Sequence, residues 1–495
     1  MRQIINPQLS FGEQDISQIA LDASSRDDIP RILRGLQYIY ITPPVRERVF
    51  AILAEVLPAG CDAETKVSAD LGRPGMEQWK ILVLGALRLG LNADYDRVLE
   101  LSNQHVTIRQ MLGHSDWVDD YRYRLQTIKD NVCLFTPELL DRINQVVVDA
   151  GHALVRESPN EPLAVRIDSF VVETHVHFPT DSNILLDAVR KVIDTCADHC
   201  EEQGLSDWRQ SAYNQRCLKK AYRKVQRLKR SRSKDDEKRA EREGEILQAY
   251  QDYLDLAEGF LGRARETRDK LLISHRWPAI LLEQLNGWID HAERQIDQIS
   301  RRVFDGERIP HSEKVFSIFQ PHTEWINKGK AGVPVELGLR VAVSEDQHGF
   351  ILSYRVMEKI TDDQVAIPMV QDIQARFSPV RSASLDKGFH SKENQAALAE
   401  IVPFPVMPKK GKRSQAELER EHDPEFIYLR HRHSAVESAI NALEVHGLDM
   451  CPDHGIAGFK SYVALAVVGR NLHRLGAILL AQDAEQERRK RKRAA

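Results

Sequence analysis

Apolar residues recur every three to four positions through most of the first 155 residues. QWKILVLGALRLGL (78–91) and DYDRVLELSNQHVTIRQMLG (94–113) carry this spacing, with Gly113 as a stop. PELLDRINQVVVDAGHALV (137–155) is a further amphipathic helix. No stretch here alternates in the two-residue rhythm of a strand. The pattern predicts a helical N-terminal domain over 1–155, able to hold a helix-turn-helix and to bind DNA ends. The rhythm then changes. EPLAVRIDSFVVETHVHFP (161–179) is rich in Val and Ile, bounded by prolines, and predicts one or two strands. Ile167, Ser169, Val171 and Glu173 would face one way, and Asp168, Phe170, Val172 and Thr174 the other.

From 183 to 305 the chain reads as long, charged helices with few breakers. Leu218, Val225 and Leu228 form one weak apolar seam, and Ile246, Tyr250, Tyr253 and Ala257 another. An antiparallel helical hairpin is expected, its tip at RSRSKDDEKRAERE (230–243). Strands return beyond it: a short one at KVFSIFQ (314–320), a hairpin over 334–343 and 350–357, RSASLD (381–386) and VPFPVMP (402–408). Helices are expected near 368–377, after Asp386, over 424–443, and through SYVALAVVGRNLHRLGAILLAQ (461–482). The predicted class is mixed α/β. Its core is split into 156–182 and 306–480 by the helical insertion and followed by a basic tail at 481–495.

Charge refines this picture. The net charge is −4, which excludes a uniformly basic DNA-coating protein. Yet ten Lys/Arg and no Asp/Glu lie between Arg216 and Lys234, and Arg488 to Arg493 is an unbroken basic run. Local basic stretches can meet a polyanion by releasing its counterions; otherwise they are a solvated helix face and a disordered tail. No apolar run reaches the roughly 18–20 residues of a membrane span, and the N-terminus has no secretory pattern, so a cytoplasmic protein is expected. Six scattered cysteines predict no disulfide framework. Cys196, His199 and Cys200 have helical spacing that could suit zinc, but the second ligand pair of a structural site is missing, so half-buried thiols are the plainer reading.

Three carboxylates hold special places. Asp168 lies inside a Val/Ile strand, Asp386 ends a later strand just before Lys387-Gly388, and Glu437 sits among Ala435, Val436, Ala439 and Ile440. A carboxylate within an apolar strand is costly unless a cation compensates. Mg²⁺ prefers a few carboxylates plus water and phosphate oxygens, and two such ions suit phosphodiester cleavage and transfer. Asp194, Glu173, Asp181, Asp187 and Glu336 are alternatives that spacing does not exclude.

Three blocks carry a resemblance. IDSFVVETHVHFPTDSNILLDAVR resembles the first-Asp block of insertion-sequence DDE transposases, SLDKGFHSKEN the second-Asp block, and RHRHSAVESAIN the block with the terminal Glu. The helical QWKILVLGALRLGLNADYDRVLEL is similar to their N-terminal region, and the ISNCY group is the nearest in pattern. The resemblance implies an RNase H-like core, Mg²⁺ with Mn²⁺ as a substitute, terminal inverted repeats and target DNA as substrates, and a homo-oligomer on DNA. It assigns Asp168, Asp386 and Glu437 as catalytic metal ligands. Related enzymes often have Tyr, Arg and Lys at −7, −4 and +7 from the Glu; here these positions are Arg430, His433 and Glu444. Arg430, His433, Arg432 and Lys387 are the expected phosphate contacts, whereas Glu444 cannot replace a Lys. Trp325 could stack on an unpaired base or simply pack. The competing readings are a catalytically silent DNA-binding protein of transposase descent and a nuclease without strand transfer.

Overall fold

The structure is a computed structural model that describes residues 3–6, 8–9, 11–56, 75–115, 119–158, 160–230, 236–273, 279–327 and 334–494. It contains two compact units: residues Met1–His175 with Ile326–Ala495, and the intervening Val176–Trp325.

The first unit is mixed α/β. Its open sheet has seven strands: β1 (Leu163–Thr174), β2 (Glu324–Asn327), β3 (Val335–Glu345), β4 (Ile351–Met357), β5 (Val380–Leu385), β6 (Phe404–Val406) and β7 (Met450–Cys451). β1 is central. It runs antiparallel to β3 on one side and parallel to β5 on the other, β3 pairs antiparallel with β4, and β5 pairs parallel with β6. Val165, Ile167, Phe170, Val171 and Val172 of β1 are all buried. Strict in-out alternation therefore fails here, because helices cover both faces of a central strand.

The N-terminal helices share one continuous core with this sheet. Helix Ile29–Ile41 lies against the long helix Gly455–Ala494. That approach depends on glycine: a Cβ on Gly476 would stand 1.7 Å from the Arg31 carbonyl oxygen, and one on Gly35 would stand 2.5 Å from that of Leu472. A buried polar pin adds direction. Asn471 Nδ2 donates to Asn144 Oδ1 (2.7 Å) and to the Ile351 carbonyl (2.8 Å), while Asn471 Oδ1 accepts from the Ile351 N–H (2.9 Å). It ties helix Pro137–Val155, the C-terminal helix and β4 together.

Helix Gly455–Ala494 is long and apolar enough over one stretch to cross a membrane by length and composition. In this fold Val463, Ala464, Val467, Val468 and Leu472 of that stretch are fully buried core residues. The helix also continues through the basic run, so the disordered tail considered from sequence is helical to Ala494.

The second unit has its own core and, among the described residues, four α-helices: Asp181–Glu202, Ser211–Arg230, Asp236–Ile273 and Ala279–Val303. The first of these packs on each of the other three, so the expected hairpin is part of a bundle. Both apolar seams are used: Leu218, Val225, Tyr250, Tyr253 and Ala257 are buried. Of the expected hairpin tip, residues 231–235 lie outside the described residues. Cys196 and Cys200 are buried in this core, and burial pushes both thiols up, Cys196 to about 12. Trp325 packs against Phe178 (5.5 Å between ring centroids) and Phe316 (5.7 Å).

Two expectations fail in detail. KVFSIFQ forms no strand; the chain pairs instead at Glu324–Asn327. The helix expected over 424–443 is two, Pro424–His433 and Ala435–Leu443, meeting at Ser434, whose hydroxyl donates to the His431 carbonyl (2.9 Å). A serine at the junction offers a local bond that competes with the helical ladder.

Candidate active site

The sheet register brings the first two aspartates to neighbouring positions. Ile167 of β1 pairs with Leu385 of β5, so Asp168 and Asp386 are each the next residue along parallel neighbouring strands. Adjacent strands are about 4.8 Å apart, and residues level in register share a face. Asp386 stands at the N-cap of the short turn Lys387–Phe389 but makes no side-chain capping bond, leaving its exposed carboxylate uncommitted. Glu437 arrives on helix Ala435–Leu443, which packs on β1 and β3. It lies in the first turn, where the helix dipole favours negative charge.

These groups act on one another. Burial pushes the Asp168 carboxyl up to about 6; the Ser169 N–H, donating to Oδ1 (2.8 Å), opposes this, and Asp386, Asp362 and Glu437 raise it further. Asp168 is thus a desolvated carboxylate facing three like charges, an arrangement that a cation relieves. No three of these residues have ligand oxygens all within 4.8 Å of one another. The donors are all oxygen, the kind that hard ions such as Mg²⁺ or Mn²⁺ take.

Asp362 is the member sequence reasoning missed. It accepts from Ser169 Oγ (2.7 Å) and Arg340 Nη1 (3.2 Å), and a Cβ on Gly388 would lie 3.3 Å from its Oδ2. It therefore bonds to β1 beside Asp168 and to β3, and lies close to the turn after Asp386. The missed signal was Thr361-Asp362-Asp363-Gln364, a capping box that starts the helix at Asp362 rather than near 368. Pro368 lies within the first two turns of that helix.

Of the expected phosphate contacts, His433 feels the charges of Asp386 and Glu437. Burial pushes its pKa down, against the opposing pull of Asp386 and Glu437, and neither buried ring nitrogen has a hydrogen-bond partner of good geometry. Arg166 of β1, paired with Glu345 (3.0 Å), donates to the Arg432 carbonyl (3.5 Å) and so holds the end of this helix. Lys387, Arg430 and Arg432 are exposed. Arg432 reaches Tyr428 Oη (3.3 Å), and among the described residues no hydrogen bond or ion pair joins these three to the carboxylates.

Three of the five alternative acids are engaged within the second unit: Asp181 pairs with Arg302 (2.6 Å), Asp187 with His177 (2.5 Å), and Asp194 accepts from Gln215; Glu173 and Glu336 lie on β1 and β3. A recess of about 310 Å³ lined by Asp141, Tyr354, Asp372 and Arg376 shares no residue with the carboxylate cluster. Comparison with known protein families, curated proteins and solved structures gives no match.

Proposed function

We propose that this chain is a DDE transposase of insertion-sequence type, ISNCY-like in its motifs, built on an RNase H-like core. It would cut DNA at the element's terminal inverted repeats and join the freed ends to target DNA. The observation that carries the reading is the grouping of Asp168, Asp386 and Glu437, 218 and 51 residues apart in sequence, at one place on the sheet. The strand order β2-β3-β1-β5-β6, with β4 also paired to β3, supports it as well: β1, β3 and β4 are antiparallel neighbours, and β1, β5 and β6 parallel ones.

In this scheme Asp168, Asp386 and Glu437 hold Mg²⁺, with Mn²⁺ as a substitute. Bound there, the metal supplies activation of the attacking oxygen and stabilisation of the leaving one. Asp362, through the Ser169 hydroxyl and the turn at Gly388, keeps the two aspartates in place. His433 is a neutral donor beside the scissile phosphate, and Lys387, Arg430 and Arg432 meet the flanking phosphates. The 3′-OH released by the first cut attacks target DNA in the same pocket. A homo-oligomer on DNA, acting in the cytoplasm, belongs to the same proposal.

Asp386→Ala is expected to abolish cleavage of a duplex bearing the element's ends while leaving end binding within about threefold, since phosphate contacts supply most of the affinity. Cutting by Asp386→Ala at the wild-type rate would refute the assignment.

A further inference from the structure

A second cluster of ligating side chains lies elsewhere in the first unit. Asp28, His446 and His473 each place one ligand atom within 4.8 Å of the other two. His473 Nε2 is 2.9 Å from Asp28 Oδ1, and the two imidazole centroids are 5.4 Å apart. We infer that these residues form a transition-metal site, best suited to Zn²⁺ and separate from the carboxylate cluster.

Each ligand comes from a different element and is presented for a local reason. Asp28 is the N-cap of helix Ile29–Ile41 yet makes no side-chain capping bond; its carboxylate turns to His473 instead. His446 sits in the single wide turn Glu444–Leu448, which Gly447 breaks with φ +104°. A Cβ on Gly447 would stand 2.9 Å from Tyr462 Oη, so both the conformation and the space require glycine there. His473 projects from the C-terminal helix.

The two imidazoles are only 7% and 8% exposed. The His446 ring lies beside the Gly90 backbone, a neighbour of the kind that orients a ligating histidine. His473 Nδ1 is buried with no hydrogen-bond partner. Among the His473 ring contacts, the only acceptor is Asp28. Two imidazoles and one carboxylate suit zinc, with a fourth position left for water; Mg²⁺ prefers oxygen alone. Two cations stand nearby. Arg31 Nη1 lies 3.0 Å from Asp28 Oδ1 and 3.4 Å from His473 Nε2, so it competes for the same ligand atoms. Its side chain is 40% exposed and can turn to solvent. Arg470, one helical turn before His473, has Glu345 as a balancing charge.

An ion here would join segments more than 400 residues apart in sequence. It would also anchor the chain just past helix Ala435–Leu443, which carries Glu437. Its role is therefore structural support of that helix.

The test uses the full chain stripped of metal by a chelator, then titrated with Zn²⁺ by calorimetry and with Co²⁺ by visible absorption. A variant with both Asp168→Asn and Asp386→Asn should still bind one Zn²⁺ per chain, and Co²⁺ should give a tetrahedral, histidine-ligated spectrum. His446→Gln with His473→Gln should lose both signals, Asp28→Asn should weaken Zn²⁺ binding, and Arg31→Gln should tighten it. The single substitutions keep the test decisive if the double histidine variant does not fold. No Zn²⁺ uptake by the wild type would overturn the inference. So would uptake abolished by the Asp168/Asp386 variant but unchanged by Asp28→Asn and Arg31→Gln.

Discussion

Asp168 is held in a strand whose neighbours are core aliphatics, and that placement raises its pKa to about 6. With no divalent ion, its raised folded-state pKa means the native state binds a proton more tightly than the unfolded chain. Stability should then fall as pH rises from about 4 to about 6, by up to about 2 kcal/mol after allowance for partial exposure. Asp168→Asn should remove this slope in urea-unfolding series, and Mg²⁺ should stabilise the wild type above pH 6 but not the variant; an unchanged slope in Asp168→Asn would place the titrating group elsewhere. Asp362 makes a different prediction. Because it acts through Ser169 and the Gly388 turn, Asp362→Asn should slow cleavage by about 10–100-fold and raise the Mg²⁺ concentration required. Full activity at limiting Mg²⁺ would remove it from the site.

Elements bring these residues together, and their legibility in sequence followed the physics of each. Strands β1, β3, β4 and β5 were readable because Val- and Ile-rich runs ended at prolines, glycines or polar turns. Asp168 was readable because it interrupts such a run, and Asp386 because it ends a short strand just before Lys387-Gly388. Register was not readable, so the level placement of Asp168 and Asp386 emerges only once β1 and β5 are paired. Asp362 was hidden because the helix was expected only near 368–377, whereas the capping box at Thr361 starts it at Asp362. The split at Ser434 escaped for a similar reason: the flanking residues are good helix formers, and a single junction serine leaves little trace. The Asn144–Asn471–Ile351 pin was also invisible, since its partners are hundreds of residues apart. Asn471→Leu should cost about 2–3 kcal/mol of unfolding free energy, because it leaves the buried Ile351 N–H and Asn144 Oδ1 without partners, while Asn144 Nδ2 keeps its bond to the Ile351 carbonyl (3.1 Å). A loss under about 0.5 kcal/mol would mean the pin is dispensable.

For the whole molecule, an all-oxygen carboxylate cluster on a mixed sheet is combined with a helical unit that carries its own basic face. In helix Ser211–Arg230, Leu218 and Val225 are buried while Lys219, Lys220, Arg223 and Arg227 are exposed. Replacing these four by Gln should lower the slope of log affinity for DNA against log salt by as much as about one unit per cation removed, with the helical fold retained. An unchanged slope would make the face a solvated surface. The central claim concerns chemistry, and one measurement addresses it most directly: Mg²⁺-dependent cutting and joining of a labelled duplex carrying the element's own ends, wild type beside Asp168→Ala. The account predicts nicked and joined products from the wild type and neither from the variant. Tight end binding with no cutting by either protein, in Mg²⁺ and in Mn²⁺, would contradict it and leave a DNA-binding protein without catalysis.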